Sequence, residues 1–211
     1  MDSSTTISEL QIAFDHVIAA GAEIDDEHFF RKKSPAIWSA AEEVQHLSLT
    51  YMPFNRMLPQ PEILLKRWGA SNRESRDVDT FQADYKAATL GQPWKTFPPF
   101  VPMHQDEPVD YIDLHVSQQK EKIEEFYERS GGDMTRLRTS VIITEESTGS
   151  TILEEYATQS GRLIEAAQGP SQEQFDACQF PLPYVGFVTA LEGLYFTLSH
   201  TRHHLRSISA A

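Results

Sequence analysis

A single cysteine, Cys178, is all the thiol the 211 residues contain. The chain can therefore form neither an internal disulfide nor a multi-cysteine zinc site, and any bound metal must be held by nitrogen and oxygen. Basic residues are also scarce. Eighteen Lys and Arg against 31 Asp and Glu leave a net charge of −13, which repels phosphate backbones and anionic membranes at long range. No nucleic-acid partner and no membrane partner is expected. Nothing in the sequence approaches the run of about 20 apolar residues that a membrane helix needs. The opening "MDSSTTISEL" lacks the basic-then-apolar order of a secretory signal. These absences lead us to expect a soluble, cytoplasmic protein. No glycine-rich phosphate loop, nucleophile elbow or internal repeat is present, so the familiar short motifs of nucleotide and ester chemistry give no lead.

What the chain does have is helix starts. A Ser or Thr followed three residues later by Glu can satisfy orphan amides from both directions. Such pairs occur at Thr6 and Glu9, Ser39 and Glu42, Thr151 and Glu154, and Thr189 and Glu192. Each precedes an amphipathic run: Leu10, Phe14 and Val17; Val44, Leu47 and Tyr51; Leu153, Tyr156 and Leu163; Leu191, Leu194, Leu198 and Leu205. Pro53 is expected to kink or end the second run. Four apolar stripes that bury one another predict an all-α fold, a four-helix bundle. The length fits one domain over residues 1–211. Residues 65–149 do not fit the bundle pattern and are expected to form an extended, irregular crossover with extra helical pieces. One such helix is expected from Tyr111 to Tyr127, stopped at Gly131 and Gly132. "TSVIIT" has β-branched character but is too short to establish a sheet.

Three of the eight histidines crowd into "LSHTRHHLRSI" near the end. On a helical wheel at about 100° per residue from Leu191, Arg202, Arg206, Glu192 and His203 fall on an arc from about 20° to about 120°, the expected wet face. His200 and His204 fall near 180° and 220°, beside Gly193, Phe196 and Thr197, in an arc without Asp, Glu, Lys or Arg. One turn apart on the same side, they can converge on one ion. His203 is turned away. Because zinc and similar ions usually take at least three protein ligands, a third must come from another helix. His46, off the Val44, Leu47 and Tyr51 stripe, is the choice; His16, His28, His104 and His115 have weaker local support. The bland alternative is a pair of polar residues on a helix that binds nothing, and for Cys178 a small packed side chain.

"WSAAEEVQHL" from Trp38 to Leu47, together with "PLPYVGFVTALEGLYFTLSHTRHHLRSI" from Pro181 to Ile208, resembles the DinB and YfiT superfamily. The resemblance implies a four-helix bundle in up-down-down-up order with a long crossover between the second and third helices. It also implies a divalent metal, zinc or nickel, bound by three histidines that match His46, His200 and His204. The superfamily includes enzymes that use low-molecular-weight thiols, among them bacillithiol transferases and mycothiol-dependent isomerases. The leading expectation is thus a metal-dependent thiol S-transferase, or an enzyme of related chemistry, acting on a small-molecule substrate. Alternatives are a metal-dependent hydrolase, or a noncatalytic module in which the histidines tie two helices together or bind a ligand. Family analogy further implies a homodimer. Glu43, one turn before His46, is either a general base, a solvated helix-start carboxylate or an orienter of a ligand.

Overall fold

In the computed structural model, residues 1–35, 37–90, 100–104, 142–182 and 184–211 are described. They are predominantly helical. Helices α1 (Ser3–Ala22), α2 (Asp26–Phe30), α3 (Ala40–Met57), α4 (Pro61–Trp68) and α5 (Val78–Thr89) precede α6 (Gly149–Gln168), α7 (Gln172–Ala177) and α8 (Ala190–Ile208). The four long helices α1, α3, α6 and α8 pack in a ring: α1 against α6 and α8, and α3 against the same two. Their facing stripes make one apolar core. Leu10, Phe14 and Val17 of α1 meet Val44, Leu47 and Tyr51 of α3, Tyr156 and Leu163 of α6, and Leu194 and Leu198 of α8. At its centre the Phe14 ring lies 5.0 Å from Tyr51 and 6.2 Å from Tyr156. The two tyrosine hydroxyls are not stranded there: Tyr51 bonds Thr201 Oγ1 at 2.7 Å and Tyr156 Oη at 3.4 Å.

Two of the four expected capping boxes start their helices. Ser39 and Glu42 exchange side-chain and backbone bonds at the start of α3, and Thr189 and Glu192 do so at α8. The other two helices begin earlier than the Ser/Thr-to-Glu spacing predicts. Asp2 caps α1, its carboxylate accepting from Thr5 N at 2.7 Å, while the Thr6 hydroxyl is buried and donates to the Asp2 carbonyl. A carboxylate is a stronger acceptor than a hydroxyl, so it wins the orphan amides. Thr148 caps α6 with Thr151 closing the box, which leaves Thr151 inside the first turn. Pro53 neither ends nor begins anything. It sits within α3, which continues to Met57 because Tyr51, Met52, Phe54 and Leu58 are buried and packing outweighs one missing amide donor.

Two small β elements accompany the helices. Strands β1 (Met103–His104) and β2 (Ile142–Ile143) pair in parallel, so the β-branched stretch near residue 142 does form a strand, of two residues. Strands β3 (Gln179–Leu182) and β4 (Gly186–Thr189) form an antiparallel hairpin that runs directly into α8. Gly193 makes room for it: a Cβ there would lie 2.5 Å from Phe180 Cζ and 2.9 Å from Phe54 Cε1. The expected helix from Tyr111 to Tyr127, with its stop at Gly131 and Gly132, and His115 lie outside the described residues. Among the described residues no helix is long and apolar enough to cross a membrane.

Candidate metal centre

Helix α3 is unusual in being buried on every side from Ala40 to Met52, although Glu42, Glu43, Gln45, His46, Ser48 and Thr50 are polar. Buried polar side chains require partners: Ser48 and Thr50 donate to carbonyls of their own helix, while Glu42, Glu43 and His46, near the start of α3, find partners on other elements. Glu42 closes the Ser39 box and also accepts from Lys32 at 2.9 Å and His104 at 3.0 Å. Burial opposes its charge, but the donors from His104, Ser39 and Lys32 prevail and hold it at about 2.

One turn further along, His46 faces His200 and His204. The Nε2 atoms of His46 and His200 are 3.2 Å apart, and those of His200 and His204 are 3.0 Å apart. Tetrahedral zinc with bonds of about 2.0–2.1 Å would place two nitrogens roughly 3.3 Å apart, so the three rings already stand close to the spacing an ion requires. His46 Nδ1 lies 2.6 Å from the Phe100 carbonyl, which can only accept. The His46 proton is thereby fixed on Nδ1, and its Nε2 lone pair faces the cluster. His204 Nδ1 bonds the Glu43 carboxylate. Trp38 covers one side, 4.9 Å from the His46 ring and stacked 6.4 Å from His204, and Phe196 stacks on His200 at 5.1 Å.

The electrostatics favour neutral rings. Burial and the neighbouring His204 push His46 down to about 3, against the pull of its bond to Phe100. Burial, with a smaller push from His203, brings His204 down to about 3 as well. His200 is driven well below the usual range by the same burial and by the other histidines. Burial pushes Glu43 the other way, up to about 7, against the nearby histidines. His46 and His204, with Nδ1 held by acceptors, turn their Nε2 lone pairs toward the cluster, and His200 Nε2 lies within 3.2 Å of both; a cation there would be ligated by these nitrogens. Among the described residues these three are the His, Cys, Asp or Glu side chains that can converge on one point. The set is compatible with a divalent metal, and its all-nitrogen donors suit zinc, nickel and related ions alike.

The wheel on α8 thus separates the adjacent histidines as the sequence predicts. His204 is buried in the cluster, while His203 is exposed, its ring centroid 5.1 Å from that of His204. The same wheel fails at Glu192. Instead of lying on a wet face it is fully buried, bonded by Arg73 at 2.6 Å through both oxygens and by Arg76 Nε at 2.9 Å. Its arginine partners lie more than a hundred residues earlier, so no local pattern announces them. His16 is exposed on α1, His28 bonds Asp25, and His104 bonds Glu42; none joins the cluster. Cys178 is buried, its thiol pushed up by burial and by Glu62, which suits a packed side chain rather than a nucleophile. The Phe100 carbonyl, a backbone atom, carries no sequence signal at all.

The profile of the DinB superfamily matches residues 9–208. The chain belongs to the DinB superfamily. No curated protein and no solved structure matches it. The match spans α1 through α8, so the three histidines lie within the family's own framework and not in an appended segment.

Proposed function

We propose that this DinB protein is a divalent-metal enzyme whose ligands are His46, His200 and His204. The observation that carries the reading is the convergence of three imidazole nitrogens, His200 Nε2 lying 3.2 Å from that of His46 and 3.0 Å from that of His204, all within 4.8 Å of one another. In this reading the four long helices form the family's up-down-down-up bundle within one domain, with residues 65–149 as its crossover. His46 is contributed by the second bundle helix and the histidine pair by the fourth. Zinc and nickel are the metals best suited to the donor set.

The reaction we favour is transfer of a low-molecular-weight thiol to a small-molecule acceptor. A divalent ion held by three neutral ligands keeps its full charge, which lowers the pKa of a coordinated thiol and supplies a nucleophile near neutral pH. The chain's own residues do the rest. Burial and the Phe100 carbonyl keep His46 in the ligating tautomer, and the Trp38 and Phe196 faces exclude water from the ring edges. The protein acts in the cytoplasm as a homodimer in this account.

The test is spectroscopic. Cobalt(II)-loaded protein is mixed with a low-molecular-weight thiol such as cysteine or glutathione, and the thiolate-to-metal charge-transfer band is followed. A saturable band together with consumption of an electrophilic acceptor supports transfer. Ester or amide hydrolysis without that band would replace transferase by hydrolase, and neither band nor turnover would leave a noncatalytic module.

A further inference from the structure

His200 and His204 stand one turn apart on α8, yet their outer nitrogens are treated differently. His204 Nδ1 is bonded to the Glu43 carboxylate and His46 Nδ1 to the Phe100 carbonyl. His200 Nδ1 is buried and has no hydrogen-bond partner among the described residues. An imidazole whose outer N–H is held by an acceptor has its tautomer and ring plane fixed and its inner nitrogen made more basic. One that is only stacked against a neighbour, as His200 is on Phe196, has neither property.

Glu43 also differs from the other buried carboxylates. Glu42 is bonded by Lys32, and Glu192 by Arg73 and Arg76. Glu43 is as good as buried, at 9% exposure, and bonds His204; no lysine or arginine forms an ion pair with it among the described residues. A cation held by the three histidines would supply a balancing positive charge on the far side of the His204 ring. Resting on the metal-centre reading above, we infer that Glu43 is the positioning residue of the site: it fixes His204 as an Nε2 ligand and offsets the charge of the ion, while His200 is the weakly anchored member of the three. Helix α3 then holds α8 twice, through the ion that His46 shares with the α8 pair and through the direct bond of His204 to Glu43, three residues before His46.

The inference is tested by titrating the full chain with cobalt(II), reading both Kd and the visible absorption of the ion, with circular dichroism as the control for folding. Glu43→Ala is expected to weaken binding by about 10- to 100-fold and to shift the cobalt spectrum. Glu43→Gln keeps a carbonyl oxygen that can accept from His204 Nδ1–H, so it should fall between Glu43→Ala and the wild type. A purely structural Glu43 would change the unfolding midpoint and leave Kd and spectrum at their wild-type values, which would overturn the inference. Should Glu43→Ala not fold, Glu43→Gln decides on the same scale: wild-type Kd and spectrum refute the role. The underlying reading fails separately, when wild type and His200→Ala bind cobalt equally weakly.

Discussion

Helix α8 carries two buried polar clusters about two turns apart, and they are built in opposite ways. At its start, the Glu192 carboxylate is enclosed by Arg73 and Arg76 and by the Thr189 and Arg76 amides, every charge answered by another. Toward its end, His200 brings its Nε2 within 3.2 Å of those of His46 and His204, and its Nδ1 has no partner among the described residues. The first cluster is complete as protein and holds the hairpin, the Arg73 loop and the helix together. The second has the donor set of a metal centre. Burial alone does not distinguish a structural polar cluster from a functional one; the balance of donors, acceptors and charge does.

The contrast predicts unequal costs in metal-free protein. Glu192→Ala removes the acceptor shared by two arginines and the N-cap partner of α8, and should destabilise the fold by about 3 kcal/mol. This is the low end for a broken buried ion pair because both arginines reach solvent. His200→Ala removes a ring whose Nδ1 has no hydrogen-bond partner to lose among the described residues, and should cost about 1 kcal/mol or less. Urea unfolding of the two variants checks this, and similar costs would erase the distinction.

Acid should erode the two ends in sequence. The histidines, lowered from 6.5 to about 3 at His46 and His204, bind protons more readily unfolded. Their contribution in metal-free protein is full above 6.5 and is lost as pH falls from there toward 3. Glu192 is lowered from 4.5 to about 2, because the hydrogen bonds of Arg73 and Arg76 overcome the burial that opposes its charge. Its contribution, on the order of 3 kcal/mol, is full above 4.5 and lost between there and 2. The unfolding midpoint should therefore begin to drop below pH 6.5 in the wild type. Glu192→Gln should flatten only the part below 4.5.

Smaller effects probe the frame between the clusters. Gly193→Ala pushes a methyl group into Phe180 and Phe54 and should cost about 2 kcal/mol through overpacking. Thermal unfolding would show it as a lowered midpoint. Tyr51→Phe removes the hydroxyl bonded to Thr201 and should cost about 1 kcal/mol, with metal affinity unchanged.

Much of the histidine cluster was legible in the sequence, and the carboxylate cluster was not, for a physical reason. His200 and His204 are related by the helical repeat, so a wheel finds them. Glu192 obeys the same repeat on the other face, and the wheel places it in solvent because its partners come from a loop over a hundred residues away. Helix α3 shows the same limit. Its polar residues suggest a wet face, but long-range partners, donors for Glu42 and Glu43 and an acceptor for His46, let all three be buried. Helix starts were readable where Ser39 and Thr189 stood alone and misleading where Asp2 or Thr148 offered an earlier cap. The β3–β4 hairpin depends on pairing across a turn and on space left by Gly193, which neither periodicity nor capping reports.

The central claim is that the histidine cluster is a metal centre with His203 as its bystander. Its most direct test is the metal content of protein purified without a histidine tag or added metal, as wild type, His200→Ala and His203→Ala. The account predicts stoichiometric divalent metal in the wild type, its loss in His200→Ala and its retention in His203→Ala. Equal metal in the two variants would contradict it.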